Sequence, residues 1–285
     1  MARPGVVIVG AGRMGQGLAL ALGDAGHAVT LVSRSSHPVL PPLRLHAGPR
    51  AEALRAASVV VLAVPDGAIT ALATALAAED CITARHVVLH VSGLRDRTAL
   101  GPLAATGAAL GSLHPLQTVS DPATAAARFT GAYAGIEGDD RALSAAEALA
   151  RSLGMIPVRI PAEAKPAYHA GAAFAANYTT ALVGVAERLA LAAGIPREVA
   201  GRLYLPLIRG AAANLESGPA DALTGPVRRG DVETVRAHLA ALGPEDRQLY
   251  LLLAREALRL AREAGLPAEA AARMARALEE QGPAS

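Results

Sequence analysis

The sequence predicts an α/β domain built on a doubly wound, mostly parallel sheet, followed by an all-α domain. Three observations predict it. Residues 6–32 read as strand, Gly-x-Gly-x-x-Gly turn, helix and strand in direct succession. Short apolar runs then alternate with helix-period segments as far as residue 160, the pattern of a parallel sheet covered on both faces. Beyond Pro161 strand signals stop, and Gly and Pro punctuate one helical stretch after another. The 285 residues are 52% hydrophobic, enough for two domains with cores of their own. The change of pattern puts the boundary near residue 161, giving domains of 1–161 and 162–285.

The first unit is the most specific. Val6 to Val9 runs into glycines at 10, 12 and 15, and Met14, Leu18, Ala21 and Leu22 follow at helical spacing. Ala28 to Val32 closes the unit as a second strand. Gly10 permits the tight turn, Gly12 lets a pyrophosphate approach the backbone, and Gly15 lets helix and strand pack closely. The helix start offers N–H groups and a positive dipole end to the phosphates. Arg13 and Met14 stand beside them. It reads as a Rossmann dinucleotide-binding unit; the alternative is a merely structural tight turn. Where an NAD site usually carries an acid, the second strand here ends in Ser33, Arg34 and Ser35. Three donors and no acid suit a 2′-phosphate, because a guanidinium matches its oxygens. The expected cofactor is NADP(H); the alternative is that Arg34 is a solvated loop charge.

Further strands are expected at 59–64, 87–91, 109–113, 132–136 and 156–160, with helices at 66–78 and 139–153. The second half is expected to hold helices at 163–193, 197–216, 231–242, 245–264 and 267–281, since Gly ends one and Pro starts the next. No charged residue occurs between Lys165 and Glu187. That stretch approaches membrane-span length, but it is Ala-rich and studded with polar groups. It reads as a helix buried inside protein, and also as a dimer interface.

Composition narrows the partners. A net charge of +2 without a polybasic block, and 2% aromatic residues, argue against nucleic acid. Arg13 interrupts the N-terminal apolar run, so it does not read as a signal peptide. Cys81, the single cysteine, fits a reducing cytoplasm. The eight histidines are scattered and no metal site is expected. The partners anticipated are a small-molecule substrate and a second copy in a homodimer, not a membrane.

Ligands of a doubly wound sheet bind beyond the carboxyl ends of its strands. Val64 and Pro65 end one strand, where a nicotinamide ribose would lie. Ser92 follows the next strand, and His114 the one after, with Pro115 biasing it towards extended backbone. His169 and Asn177 fall on nearly one face of the helix beginning near 163. Buried His and Asn need hydrogen-bond partners, and a substrate would provide them. Gly225-Pro226 enforces a turn beside Thr224 and Arg228, which could hold a carboxylate, and Asp231 suits an N-cap. Each position also has a structural reading: loop packing for His114, a plain turn for Ser92, a satisfied core histidine for His169, and a helix connection for 224–231.

Taken together, GAGRMG, SLHPLQT at 112–118, YHAGAAFAANY at 168–178 and ALTGPVRRGD at 222–231 resemble a family of bacterial two-domain proteins. They join a Rossmann-like oxidoreductase domain to a helical domain of unknown function. The layout is similar to 6-phosphogluconate dehydrogenase-like enzymes, among them ketopantoate reductases, pyrroline-5-carboxylate reductases and β-hydroxyacid dehydrogenases. The resemblance implies an NADP-dependent oxidoreductase, often dimeric. Ketopantoate reductases carry Lys, Asn and Asn at four-residue steps on the first long helix of the second domain. Asn177 stands at the last Asn, Ala173 at the middle one and His169 at the Lys that acts as general acid. Histidine can donate a proton near neutrality. The Thr224-Gly225-Pro226 turn loosely resembles the substrate loop of pyrroline-5-carboxylate reductases.

The resulting expectation is an NADPH-dependent reductase of a small carbonyl or imine compound bearing a carboxylate, with a 2-oxo acid such as ketopantoate as the specific guess. His169, or else His114, protonates the developing alkoxide or amine. Asn177 and Ser92 orient the substrate, and Thr224 with Arg228 holds its carboxylate. The competing reading is a non-catalytic NADP-binding sensor or partner-binding protein. A different redox cofactor in the same cleft, such as a deazaflavin, is a third.

Overall fold

The computed structural model describes residues 5–35 and 38–280. The chain packs as two compact units, 1–178 and 179–285. Secondary structure changes character near 161, whereas packing divides the chain after Tyr178.

In the first unit the strands are β1 (Val6–Val9), β2 (Val29–Val32), β3 (Val59–Leu62), β4 (Val87–His90), β5 (Ala109–Pro115), β6 (Tyr133–Gly138) and β7 (Ile156–Arg159). The helices are α1 (Arg13–Asp24), α2 (Arg50–Ala56), α3 (Ile69–Ala78), α4 (Ala125–Phe129), α5 (Asp140–Ser152) and α6 (Lys165–Ala172). A 3₁₀ helix spans Arg97–Thr106 and a π-helical segment spans Ala173–Tyr178. The seven strands form one sheet in the order β2-β1-β3-β4-β5-β6-β7. All neighbours are parallel except β5 and β6, which pair antiparallel.

The continuous apolar runs are explained by burial on both faces. Val6, Ile8, Val59, Val61 and Leu89 face a core with Leu18, Leu22, Phe129 and Leu149. Their neighbours Val7, Val9, Val60, Leu62 and Val88 face a second core with Leu54, Ile69, Leu76 and Leu103. Cys81 is fully buried in that second core. Each filled Leu or Val position contributes about 1.5–3 kcal/mol.

The second unit consists of helices: α7 (Thr179–Ala192), α8 (Arg197–Leu203), α9 (Leu205–Asn214), α10 (Pro219–Ala222), α11 (Pro226–Arg229), α12 (Val232–Ala241), α13 (Pro244–Glu263) and α14 (Ala268–Glu279). Val235, Leu239, Leu251, Leu258, Met274 and Leu278 fill its core. Gly194 and Gly265 end helices at positive φ, the backbone a helix C-terminus favours. Asp231 caps α12 by accepting the Thr234 N–H at 3.1 Å. The last expected helix stops at Glu279, and residue 281 lies outside the described residues.

Two expectations need correction. The helix expected over 163–193 is not one α-helix, because the π segment interrupts it. Nor is the uncharged stretch buried within the chain: Phe174 is 70% exposed and Tyr178 52%. Alanine makes such a stretch weakly apolar, so exposure is tolerated where a Leu-rich helix would need cover. Among the described residues no helix is long and apolar enough to cross a membrane.

Candidate functional site

The site is built at the carboxyl ends of the parallel strands. The β1–α1 turn is held by close backbone packing. A Cβ on Gly10 would lie 2.3 Å from the Ala63 carbonyl oxygen, and Gly10 has φ +117°. One on Gly15 would lie 1.9 Å from the Gly10 oxygen. Gly12, by contrast, has no neighbour within 4 Å of the Cβ it lacks, and no side chain caps the first turn of α1. That open backbone at a helix start fits a pyrophosphate. Gln16 fixes the turn from behind, donating to the Ala11 carbonyl and accepting from the Leu40 N–H, both at 2.9 Å.

Two cavities share Val64 and Pro65 at the end of β3. One, of about 760 Å³, joins Gly10 to Ser33, Arg34 and Ser35. The other, of about 490 Å³, joins Gly12, Arg13 and Met14 to Val91. The residue set expected to hold the cofactor is thus brought together, apart from Gly15, whose role is packing. Sequence reasoning missed Arg50, which lines the first cavity while its guanidinium is paired with Glu79. It also missed Thr118, Val119 and Ser120 in the second. No local signal marks these, since only the fold brings the loops after β2 and β5 to the turn.

Beyond Val91 lies a cluster of polar side chains. Antiparallel pairing sets Ser112 opposite Glu137 and His114 opposite Gly135. Alternation puts all four on one face of the sheet, with Leu110. There α6 supplies Lys165, Tyr168 and His169 at i, i+3 and i+4, on a single helical face. The His114 Nδ1 and Tyr168 Oη lie 2.9 Å apart. The rings of His114 and His169 meet edge-on, with centroids 5.8 Å apart.

Two glycines make room for these rings. A Cβ at Gly93 would lie 2.6 Å from His169 Nδ1 and 2.7 Å from His114 Cε1. One at Gly135 would lie 2.7 Å from Tyr168 Oη. The Nδ1 of His169 is buried and meets no hydrogen-bond partner among the described residues. A buried polar atom of this kind normally has one.

Ser92 is buried and already committed. Its hydroxyl donates to Asp66 Oδ2 at 2.7 Å and accepts from the Leu94 and Arg95 N–H groups at 3.2 and 2.9 Å. It therefore organises the turn after β4 and holds Asp66. His90 accepts the Ser92 N–H on Nδ1, so its Nε2–H donates to the Asp96 carbonyl. Lys165, 1% exposed, donates to Ser112 Oγ at 2.9 Å and to the Ser92 carbonyl at 3.3 Å.

Of the expected substrate residues, Ser92, His114 and His169 are brought together. Asn177 is not aligned with His169 on an α-helical face, because the π segment breaks the 3.6-residue period between them, and Asn177 is exposed. Thr224 and Arg228 belong to the second unit. There Arg228 donates to the Ala264 carbonyl at 2.8 Å, at the end of α13.

Burial sets the protonation of the cluster. It lowers the pKa of His90 to about 4, with Lys165 adding to the effect and the Asp96 carbonyl opposing it. His114 is also lowered to about 4, first by burial and then by the charges of His169 and Lys165. Burial likewise pushes the Lys165 ammonium below, and the Tyr168 phenol and Glu137 carboxyl above, their ordinary values. Both His90 and His114 are therefore neutral at physiological pH. From pH 6.5 down to 4 the unfolded chain binds protons that the native chain does not, so native stability falls as pH falls. At about 1.4 kcal/mol per pH unit, each ring is expected to remove about 3 kcal/mol between pH 7 and pH 4. Urea midpoints across that window measure it; a flat midpoint contradicts two neutral buried rings.

Residues 1–115 match the model of a Rossmann-like domain. Residues 132–257 match the model of a domain of unknown function, DUF2520. No curated protein matches. A proposed NADP oxidoreductase from Bacteroides fragilis is similar in structure, with 22% identity, 89% of this chain and 97% of that chain covered, and a TM-score of 0.67. Protein TM1727 from Thermotoga maritima gives 22%, 90%, 98% and 0.66 in the same order. A Plasmodium falciparum pyrroline carboxylate reductase with NADP bound gives 13%, 96%, 99% and 0.62. At these identities the likeness is one of fold.

Proposed function

We propose that this chain, which joins a Rossmann-like domain to a DUF2520 domain, is an NADPH-dependent oxidoreductase that reduces the C=N or C=O bond of a small, carboxylate-bearing compound. The observation that carries the reading is the run of cavities along the strand ends, from Arg34 past the open backbone of Gly12 to Val91, continued in the chain by Ser92 and Gly93, over which His114 and His169 meet. NADPH, when bound, supplies the hydride. Gly12 and the start of α1 take its pyrophosphate, and Ser33, Arg34 and Ser35 take its 2′-phosphate. His169 donates the proton to the nitrogen or oxygen of the double bond whose carbon receives the hydride, while neutral His114, bonded to Tyr168, orients the group being reduced. Similarity to pyrroline carboxylate reductase, and to an imine reductase from Myxococcus stipitatus with NADP+ bound, favours an imine such as a cyclic imino acid. A 2-oxo acid such as ketopantoate remains the second substrate class to assay. The chain works in the cytoplasm on this reading. A second copy covers the exposed apolar side chains of 174–182 and of α9, so that the protein runs at twice its chain mass.

Arg34→Ala tests the cofactor half of the proposal. A charge-assisted contact to phosphate is worth about 1.5–3 kcal/mol, so the preference for NADPH over NADH should fall about 10- to 100-fold. Kd values for both cofactors by fluorescence titration measure it. An unchanged ratio removes Arg34 from the site.

A further inference from the structure

Lys165 is the best-buried charge near the site and has no part in the chemistry proposed above. Its ammonium bonds to two neutral acceptors, Ser112 Oγ and the Ser92 carbonyl. The carboxylates of Glu137 on β6, Asp96 after β4 and Asp66 after β3 favour its charge, yet burial outweighs them. A buried ammonium with no ion-pair partner among the described residues is costly, and an apolar side chain of the same size is often tolerated better. Packing alone therefore does not account for it.

Its position does. Lys165 opens α6, and its two bonds reach the turn after β4 and the middle of β5. Together they set the height and rotation of the helix over the sheet. Tyr168 and His169, one turn on, then come down on Gly135 and Gly93. Both seats are glycines, where a Cβ would lie 2.6 Å from His169 Nδ1 at Gly93 and 2.7 Å from Tyr168 Oη at Gly135; a helix rotated by a single residue, about 100°, carries both rings off them.

We propose that Lys165 is a positioning residue: its buried ammonium clamps the start of α6 to the turn after β4 and the middle of β5 and so sets where Tyr168 and His169 meet His114. The proposal rests on reading that cluster as the reacting end of the site. Charge acts in the same direction. Lys165, His169 and His90 oppose protonation of His114, while Asp66 favours it.

Full-length Lys165→Met, labelled with ¹⁵N-histidine, tests it. The variant should fold with an unchanged or higher thermal midpoint. The His114 Nδ1 resonance should lose the shift produced by its bond to Tyr168, matching Tyr168→Phe, and the His114 titration should move up. Turnover with a cyclic imine should fall about tenfold in kcat with the KM for NADPH unchanged. A Lys165→Met protein whose His114 resonance and titration equal wild type overturns the proposal. If Lys165→Met does not fold, Ser112→Ala replaces it: it keeps the charge, removes one acceptor, and should shift the His114 resonance the same way by less. No shift in Ser112→Ala then overturns the clamp. Failure of every substrate with wild type would refute the reductase reading alone, because the imidazole resonances still decide the role of Lys165.

Discussion

Gly15→Ala is expected to unfold the first unit, while Gly12→Ala, three residues away, leaves it folded. A methyl on Gly15 would lie 1.9 Å from the Gly10 oxygen and 3.0 Å from its carbonyl carbon, both backbone atoms of the strand turn. Helix α1 would have to withdraw by about 1.5 Å to reach an ordinary contact. It has no room to do so, because Gly17 on the same helix lies so close to Ala125 that a Cβ on it would fall 2.7 Å from the Ala125 Cβ, and Leu18 and Leu22 are locked in the core. Such a clash belongs to the tail of mutational effects, about 4–5 kcal/mol or more, against a total stability of about 5–15 kcal/mol. Gly12 has ordinary φ, −70°, and empty space around it. Its variant should keep the wild-type thermal midpoint and lose NADPH affinity about tenfold, or about 1.4 kcal/mol. Circular dichroism melts and cofactor titrations measure the pair. A Gly15→Ala protein melting within a few degrees of wild type would contradict the packing described.

His169→Ala should cost the most activity. A positioned proton donor contributes about 10²- to 10⁴-fold, and the fall should appear in kcat with cofactor binding intact. The ring is half-buried, with its Nδ1 enclosed and without a hydrogen-bond partner among the described residues, so truncation removes little packing. His114 does not replace it. Burial holds that ring neutral, with a pKa of about 4, and Tyr168 occupies its Nδ1. A kcat within threefold of wild type would assign the proton to another group.

How much of this was legible in the sequence differs by element. Apolar runs buried on both faces announce β1, β3 and Val87 to Leu89 of β4, because the residues there must be apolar. The reversal at β6 leaves no such mark, since strand direction depends on where the chain re-enters the sheet. Yet this reversal puts Gly135 and Glu137 opposite His114 and Ser112 and creates the floor on which α6 lands. Lys165 at a helix start reads like any solvated lysine. Only its i, i+3, i+4 relation to Tyr168 and His169 hinted that one face carried three polar groups. Asn177 was placed with His169 by an α-helical period, and nothing in an Ala-rich stretch announces a π segment. Ser92 and Arg228 are polar residues at suggestive positions, but the hydrogen bonds they make are structural.

The most direct test of the central claim is NADPH consumption, followed by absorbance, with cyclic imino acids and 2-oxo acids offered to wild type and His169→Ala. Substrate-dependent oxidation of NADPH by wild type, reduced at least 100-fold in the variant, is the result predicted. NADPH that binds tightly yet is oxidised with no member of either class would contradict the reductase and favour a protein that senses the cofactor instead.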